Sequence, residues 1–272
     1  MREMKSAANP CRAVTAAEIA HYQELGWVKL PGLVHPELVR RLLDIARARM
    51  GDDGDSNAPI EVKQSFFNPE FGGGLADPAI RPLIEQVGRN AKALMGRRAG
   101  VEVRYFTDLF APKLPAAKDF RHAGNGATHF HQDYINWALD RSGGMTFWIA
   151  LADLAPQSGT MSFVNGSHRM GTLGNYRNYD RGDLLDCFPE IRERCTISEP
   201  ISYTAGDATV HSNLCVHGAG PNLTGQPRWA YAIIVNPADA RWTGAPAEAF
   251  DCTGMRIHQE LDDERFPIIS RA

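Results

Sequence analysis

The sequence predicts a mainly β fold, a sandwich or barrel with helices packed against one sheet. Three observations carry this. Helical signals are confined to the stretch before Gly100. After Gly100 the chain turns into short apolar runs separated by Gly, Pro and Asn, the pattern of many short strands joined by turns. Helices gathered at one end of such a chain bury their apolar faces against one sheet. With 272 residues, 43% of them hydrophobic, one large core is within reach, and we read residues 1–272 as a single domain.

The elements follow in order. Residues 1–12 read as a loose tail and 13–100 as a helical support region. Thr15 with Glu18 is a capping-box pattern that opens a helix to about Leu25, ended by Gly26. An apolar strand follows at Trp27–Leu30, turned by Pro31-Gly32. Pro36 stands at the first position of a second helix through about Met50. A polar loop occupies 51–59, and Asp77-Pro78 begins a third helix to about Met95. Ile80, Leu83, Ile84, Val87, Ala91 and Leu94 keep helical spacing in it. The β core is expected over 101–236, with strands at Val101–Phe110, Thr128–Ile135, Met145–Leu151, Thr160–Val164, Ile201–Thr204, Ala208–His211 and Trp229–Val235. Residues 170–195 read as a long polar and aromatic loop, a lid or a plain surface excursion. The tail, 237–272, carries no assignable element.

Composition narrows the function. The formal net charge of −3 and the scattered charges argue against a nucleic-acid or anionic-membrane partner. No stretch is long and apolar enough to span a bilayer, and the first residues lack the apolar run of a secretory signal. Five cysteines with no CxxC pair suit free thiols in a reducing compartment, so a cytoplasmic protein is expected.

The chemistry concentrates in Thr128-His129-Phe130-His131-Gln132-Asp133. On a strand, residues i and i+2 share a face, so His131 and Asp133 point together while Gln132 points away. An imidazole and a carboxylate on one face are two thirds of a 2-His-1-carboxylate triad, which leaves open positions on Fe(II). The pair is weak evidence alone. Downstream, Val216-His217-Gly218-Ala219-Gly220-Pro221-Asn222 is followed by Thr224 and Arg228. Two antiparallel strands joined by the Gly-Pro-Asn turn would put His217 and Arg228 on one hairpin. The guanidinium fork of Arg228 suits a carboxylate, although a lone arginine at a strand end is more often a surface residue.

Together these motifs resemble the phytanoyl-CoA dioxygenase family of Fe(II)- and 2-oxoglutarate-dependent oxygenases. The resemblance runs from about Thr15 to Val235. It includes VTAAEIAHYQELGWVKLPGLVHPELVRRL, Lys113-Leu114-Pro115, His131-Gln132-Asp133, Phe147-Trp148-Ile149, Ser158-Gly159-Thr160-Met161, Gly166-Ser167-His168, Gly206-Asp207 and His217-Gly218 through Arg228. It implies a double-stranded β-helix core, jelly-roll and cupin-like, with the N-terminal helices packed on one sheet. It implies His131, Asp133 and His217 as iron ligands. It implies Arg228 as the anchor of the distal carboxylate of 2-oxoglutarate, helped by Thr224, with Trp148 beside the cosubstrate and Lys63 as a second cosubstrate residue. O2 is the other cosubstrate, and hydroxylation of an unactivated C–H bond the expected reaction. Where the family often has Ser two residues after the distal His, this chain has Ala219, so another donor such as Lys63 or Thr224 must compensate.

His211, six residues before His217, is a rival ligand, but only His217 has the turn and the arginine after it. His129 shares a strand face with His131; His122 and His168 suit structural or exposed positions. Tyr134, Trp137 and Asn136 follow the metal motif and are candidates for the substrate pocket, with Gln64 and Arg177 as further polar ones. Phe66, Phe67 and Trp242 are more ordinary aromatic candidates. Without a basic patch for the phosphates of coenzyme A, a small metabolite or natural-product intermediate is the expected substrate. A cupin-like metalloenzyme that does not use 2-oxoglutarate is the first competing reading, and Arg228 argues against it. A non-catalytic partner subunit is the second, and the complete ligand set argues against it. The sequence does not set the oligomeric state.

Overall fold

The computed structural model describes residues 10–54, 70–96, 100–116, 126–173, 183–247 and 250–271. Helix α1 (Ala16–Leu25) starts at the expected capping box: the Thr15 side chain accepts from the Glu18 N–H, and the Glu18 carboxylate accepts from the Thr15 N–H. Gly26 ends it at φ 82°, a left-handed conformation that favours glycine. Strand β1 (Trp27–Leu30) leads to α2 (Pro36–Met50), with its proline in the first turn. β2 (Glu70–Phe71) and α3 (Arg81–Leu94) complete the N-terminal part; Asp77–Ile80 form a turn ahead of α3 rather than its first residues.

The remaining strands are β3 (Val103–Phe110), β4 (Thr128–His131), β5 (Met145–Ala150), β6 (Met161–Phe163), β7 (Ala208–Ser212), β8 (His217–Ala219) and β9 (Ala230–Pro237). They form an antiparallel sheet of order β1-β7-β5-β9-β3-β2 and a smaller one of order β4-β8-β6. Strand alternation sorts the side chains of the large sheet. Phe147, Ile149, Val210, Ile233 and Val235 point outwards into one core with Leu42 and Ala46 of α2 and Leu83, Ile84, Val87 and Ala91 of α3. Leu109, Trp148, Ala150, Ala230 and Ala232 point inwards against Met161, Phe163 and Ala219 of the small sheet. The result is the expected jelly-roll pair of sheets, helices on the outside of one and a chemically distinct interior between them.

The structure departs from the sequence reading in several places. β4 stops at His131, because Asp133–Asn136 form a 3₁₀ turn. Ile201–Thr204 makes no strand, only a bridge between Tyr203 and Leu154. The strand expected to lead into the Gly-Pro-Asn turn is short and starts at His217 instead of ending there, as β8. From residue 183 the expected long loop is helical: α4 (Leu184–Cys187) and α5 (Glu190–Arg194) bury Leu184, Leu185 and Ile191 against Val164 and Val216. His217 and Arg228 do not share a hairpin. His217 lies in the small sheet and Arg228 precedes β9 in the large one, so the Gly-Pro-Asn segment crosses between sheets. The tail is placed too. Ile268 bridges Arg104, and Leu261 and Phe266 pack on Phe106 and Trp137.

Candidate metal centre

His131 at the end of β4 and His217 at the start of β8 are register partners across the small sheet. Their ring centroids lie 4.4 Å apart. Gln132 is extended, and its amide is pinned by the carbonyls of Gly171 and Leu214 at 2.9 and 2.7 Å. That anchorage sends Asp133, the first residue of the 3₁₀ turn, back towards the two histidines. The Asp133 Oδ1 lies 3.5 Å from His131 Nε2 and 3.8 Å from His217 Nε2. One ligand atom from each of the three residues falls within 4.8 Å of the others, a grouping that could hold a metal ion.

The hydrogen bonds assign the imidazole tautomers. His131 Nδ1 faces the His129 carbonyl at 2.7 Å, and His217 Nδ1 faces the Cys215 carbonyl at 3.0 Å. A carbonyl only accepts, so each Nδ1 carries a proton, and Nε2 is the atom each ring turns towards Asp133 and would offer to a metal. Burial, and then His211 and His131 beside it, hold His217 well below the ordinary histidine range, so it stays neutral. Burial works against the Asp133 charge, but the surrounding imidazoles and their hydrogen bonds outweigh it and keep the carboxyl well below its usual range. Neutral imidazole and ionised carboxylate are the forms that bind metals. Two nitrogens and one oxygen fit octahedral Fe(II) with open positions and do not fit the thiolate sets of structural zinc.

His211 joins this cluster without being one of the three. Its Nε2 lies 3.2 Å from Asp133 Oδ2, and Thr146 Oγ1 donates to the same oxygen at 3.0 Å. β5 and β7 pair Thr146 directly with His211, so two neighbouring strands present both donors on the inner face. The sequence reading treated His211 only as a rival ligand and did not single out Thr146. The β5–β7 register, had it been known, would have found both.

One row further along the same face stands Trp148, and the Arg228 guanidinium lies 5.1 Å over its ring. Arg228 is buried, with one terminal nitrogen on the Gly159 carbonyl and its Nε without a hydrogen-bond partner. Lys113, 0% exposed, is its cross-strand partner: each backbone N–H bonds the other's carbonyl, at 3.1 and 2.9 Å. Lys113 Nζ donates to the Gly220 carbonyl at 2.7 Å and to Thr128 Oγ1 at 3.2 Å. Burial, and then Arg228, push Lys113 down to about 6, and burial pushes Arg228 down to about 10. Neither side chain makes an ion pair among the described residues, and a buried guanidinium without an anion, beside a lysine that an anion would charge, is a site for one. The sequence reading noted Lys113 within a motif and missed its place beside Arg228.

The other candidates fall as follows. Thr224 Oγ1 donates to Asn222 Oδ1 at 2.7 Å and helps hold the turn after β8. Tyr134 donates to the Leu139 carbonyl at 2.9 Å, Asn136 is half-buried, and Trp137 is buried against Phe106. His129 is half exposed and turned to Asp183. Lys63, Gln64 and Arg177 lie outside the described residues, as do Phe66, Phe67 and His122. No helix among the described residues is long and apolar enough to cross a membrane.

Solved structures share this architecture. The non-heme alpha ketoglutarate dependent carbocyclase SnoK from nogalamycin biosynthesis superposes with a TM-score of 0.74 at 22% identity, over 94% of this chain and 96% of its own. The epimerase SnoN, in complex with Fe3+, alpha ketoglutarate and nogalamycin RO, gives 0.72 at 22% identity over 93% and 97%. EctD from S. alaskensis with bound Fe gives 0.66 at 18% identity over 92% of each chain. At these identities the likeness is one of fold. No curated protein sequence matches the chain. The family model of phytanoyl-CoA dioxygenase (PhyH) does match, over residues 22–230, and the chain belongs to that family.

Proposed function

We propose that the protein is an Fe(II)- and 2-oxoglutarate-dependent oxygenase that oxidises, most simply by hydroxylation, an unactivated C–H bond of a small metabolite or natural-product intermediate. His131, Asp133 and His217 would hold the iron, and Arg228 the distal carboxylate of 2-oxoglutarate. The observation that carries this reading is the buried Arg228–Lys113 pair, lacking an anion, one row from the His-Asp-His cluster. Same-face residues along a strand are spaced by roughly 7 Å. Trp148, which carries the Arg228 guanidinium over its ring, is one such step from Thr146, which bonds Asp133.

When bound, iron and 2-oxoglutarate supply oxidising power from O2, with succinate and CO2 released. The chain's own residues do the rest. Arg228 fixes the cosubstrate's orientation, with Trp148 as a flat wall against its guanidinium. Lys113 contributes a second cation in place of the hydroxyl that Ala219 lacks. The apolar lining between the sheets keeps water away. Asp133 fills the third ligand position with a carboxylate, which argues against a halide binding there and for C–H oxidation over halogenation. SnoK and SnoN are named as a carbocyclase and an epimerase. The same residues could serve ring closure or epimerisation, and product analysis decides.

The test is anaerobic reconstitution with Fe(II) and 2-oxoglutarate, followed by visible absorption. A charge-transfer band present in the wild type and absent in His131→Ala is the expected result. Iron binding with no such band would remove 2-oxoglutarate and bring forward a metalloenzyme that works without it.

A further inference from the structure

On the far side of the metal row from Arg228, the inner face carries two unanswered asparagines. Asn213 follows β7, Asn236 lies in β9, and Gly144 just ahead of β5 stands between them. The register runs Met145 to both Ser212 and Val235, and Asn213 N donates to the Gly144 carbonyl at 3.0 Å. Both asparagines are 0% exposed. Neither the Oδ1 nor the Nδ2 of either has a hydrogen-bond partner. A Cβ on Gly144 would run into Asn236 Oδ1, into the Trp137 ring at 2.6 Å and into Asn213 Nδ2 at 3.1 Å. Two amides and an indole therefore converge over a residue that has no side chain.

Native interiors leave few polar atoms unpaired, and four in one notch ask for a reason. Their place suggests it. Alternation puts 144, 213 and 236 on the same face as Thr146 and His211, which hold Asp133. Trp148 and Arg228 lie on the opposite side of that row. With the cosubstrate on the Arg228 side, as proposed above, the asparagine side is the one left for substrate. Two amides offer donors and acceptors but no charge. Arg104 pairs across the strands with Asn236, but its guanidinium is committed to Asp263 and to the Phe266 and Ala238 carbonyls. An ion buried beside the amides would find no free counter-charge on Arg104, whereas a neutral oxygen would find hydrogen bonds. Trp137 and Phe106, centroids 5.7 Å apart, give flat apolar walls suited to a ring.

We infer that Asn213 and Asn236 bind a neutral hydroxyl or carbonyl oxygen carried on a ring of the substrate, and so select which carbon faces the metal. This rests on the oxygenase reading. Trp137 lies beside the amides and packs on Phe106, so the two rings line the site with them.

The test uses the full chain loaded anaerobically with Fe(II) and 2-oxoglutarate. Absence of the charge-transfer band in the wild type is failure of the oxygenase reading, and this inference falls with it. With the band present, phenyl β-D-glucoside serves as the neutral probe and phenyl β-D-glucuronide as its carboxylate counterpart. The glucoside should perturb the band and the glucuronide at equal concentration should not. Asn213→Leu and Asn236→Leu should keep the band and weaken the glucoside by at least about tenfold. Asn213→Ser is the milder change should a leucine variant fail to fold. Wild-type glucoside affinity in the variants, or preference for the glucuronide, overturns the inference. Should neither probe bind, melting of the ligand-free protein decides. Leucine variants that melt at or above the wild type support amides held for a ligand; variants that melt lower show amides that hold the fold, and overturn it.

Discussion

His211 Nε2 stands 3.2 Å from Asp133 Oδ2, while the Nε2 atoms of His131 and His217 face the other oxygen, Oδ1, at 3.5 and 3.8 Å. The carboxylate is thus divided. Oδ2 is occupied by donors from His211 and Thr146, and Oδ1 is left for a metal. A ligand oriented by its own hydrogen bonds loses less freedom when the ion arrives. Replacing His211 with Leu should weaken Fe(II) binding by about 10–100-fold, the range for groups that orient metal ligands. His211→Gln, which keeps a donor, should recover part of it. Titration of the apoprotein with Fe(II) or Co(II) under anaerobic conditions measures this. Unaltered affinity in His211→Leu would leave the contact without a role.

Arg228 predicts a different pattern. Arg228→Met leaves the three candidate ligands untouched, so iron affinity should stay near that of the wild type. It removes a buried charge from where the distal carboxylate would sit, a loss of roughly 2–5 kcal/mol, so the 2-oxoglutarate requirement should rise by about thirtyfold or more. Arg228→Lys should fall between, because the two-pronged geometry is lost while the charge remains. Separate titrations of metal and cosubstrate read the two effects. A Met variant with wild-type cosubstrate affinity would take Arg228 out of the site.

Local signals made much of this legible in advance. The capping box of α1, the glycine that ends it and the proline that opens α2 act within a few residues, and the chain obeyed them. His131, Asp133 and His217 converge as the family resemblance implied, though Asp133 arrives by a 3₁₀ turn and not by strand alternation. What was not legible is non-local. Periodicity reports which residues are buried and is silent on which sheet a strand joins, so His217 and Arg228 were set on one hairpin. The partnership of Lys113 with Arg228 spans more than a hundred residues, and that of Thr146 with His211 depends on the same kind of distant register.

The C-terminal tail, unreadable from its composition, gives a prediction about stability. Gly88 lies in α3, and a Cβ there would come within 2.5 Å of the Ile269 carbonyl oxygen and 2.7 Å of its carbon. Alanine is the better helix former by about 1 kcal/mol. A backbone carbonyl cannot yield as a side-chain tip can, and overpacking of this kind costs about 1–3 kcal/mol. Steric conflict therefore wins, and Gly88→Ala should lower the urea midpoint without changing the slope of the transition. A higher midpoint would mean that the tail does not rest on this helix.

Lys113 sets the pH behaviour. Its pKa in the folded protein is pushed down to about 6 from an ordinary 10.5, first by burial and then by Arg228. Between these two values the unfolded chain binds more protons than the folded one, so the contribution of Lys113 to stability rises with pH across that window. Below about 6 the lysine is charged in both states and its burial penalty is felt in full. Lys113→Met carries no such proton, so the melting temperature of the wild type relative to this variant should climb steadily from pH 6 towards pH 9. Comparing slopes, and not absolute values, removes the effect of the lost bonds to Gly220 and Thr128. The same lysine links the fold to the cosubstrate. A dicarboxylate entering beside Arg228 favours the charged form of Lys113, so binding above neutrality should take up a proton. Calorimetry of 2-oxoglutarate binding in buffers of different ionisation enthalpy measures that uptake, and Lys113→Met should abolish it. Identical slopes for the two proteins, together with no uptake, would mean that Lys113 is already charged in the folded protein and that burial alone does not govern it.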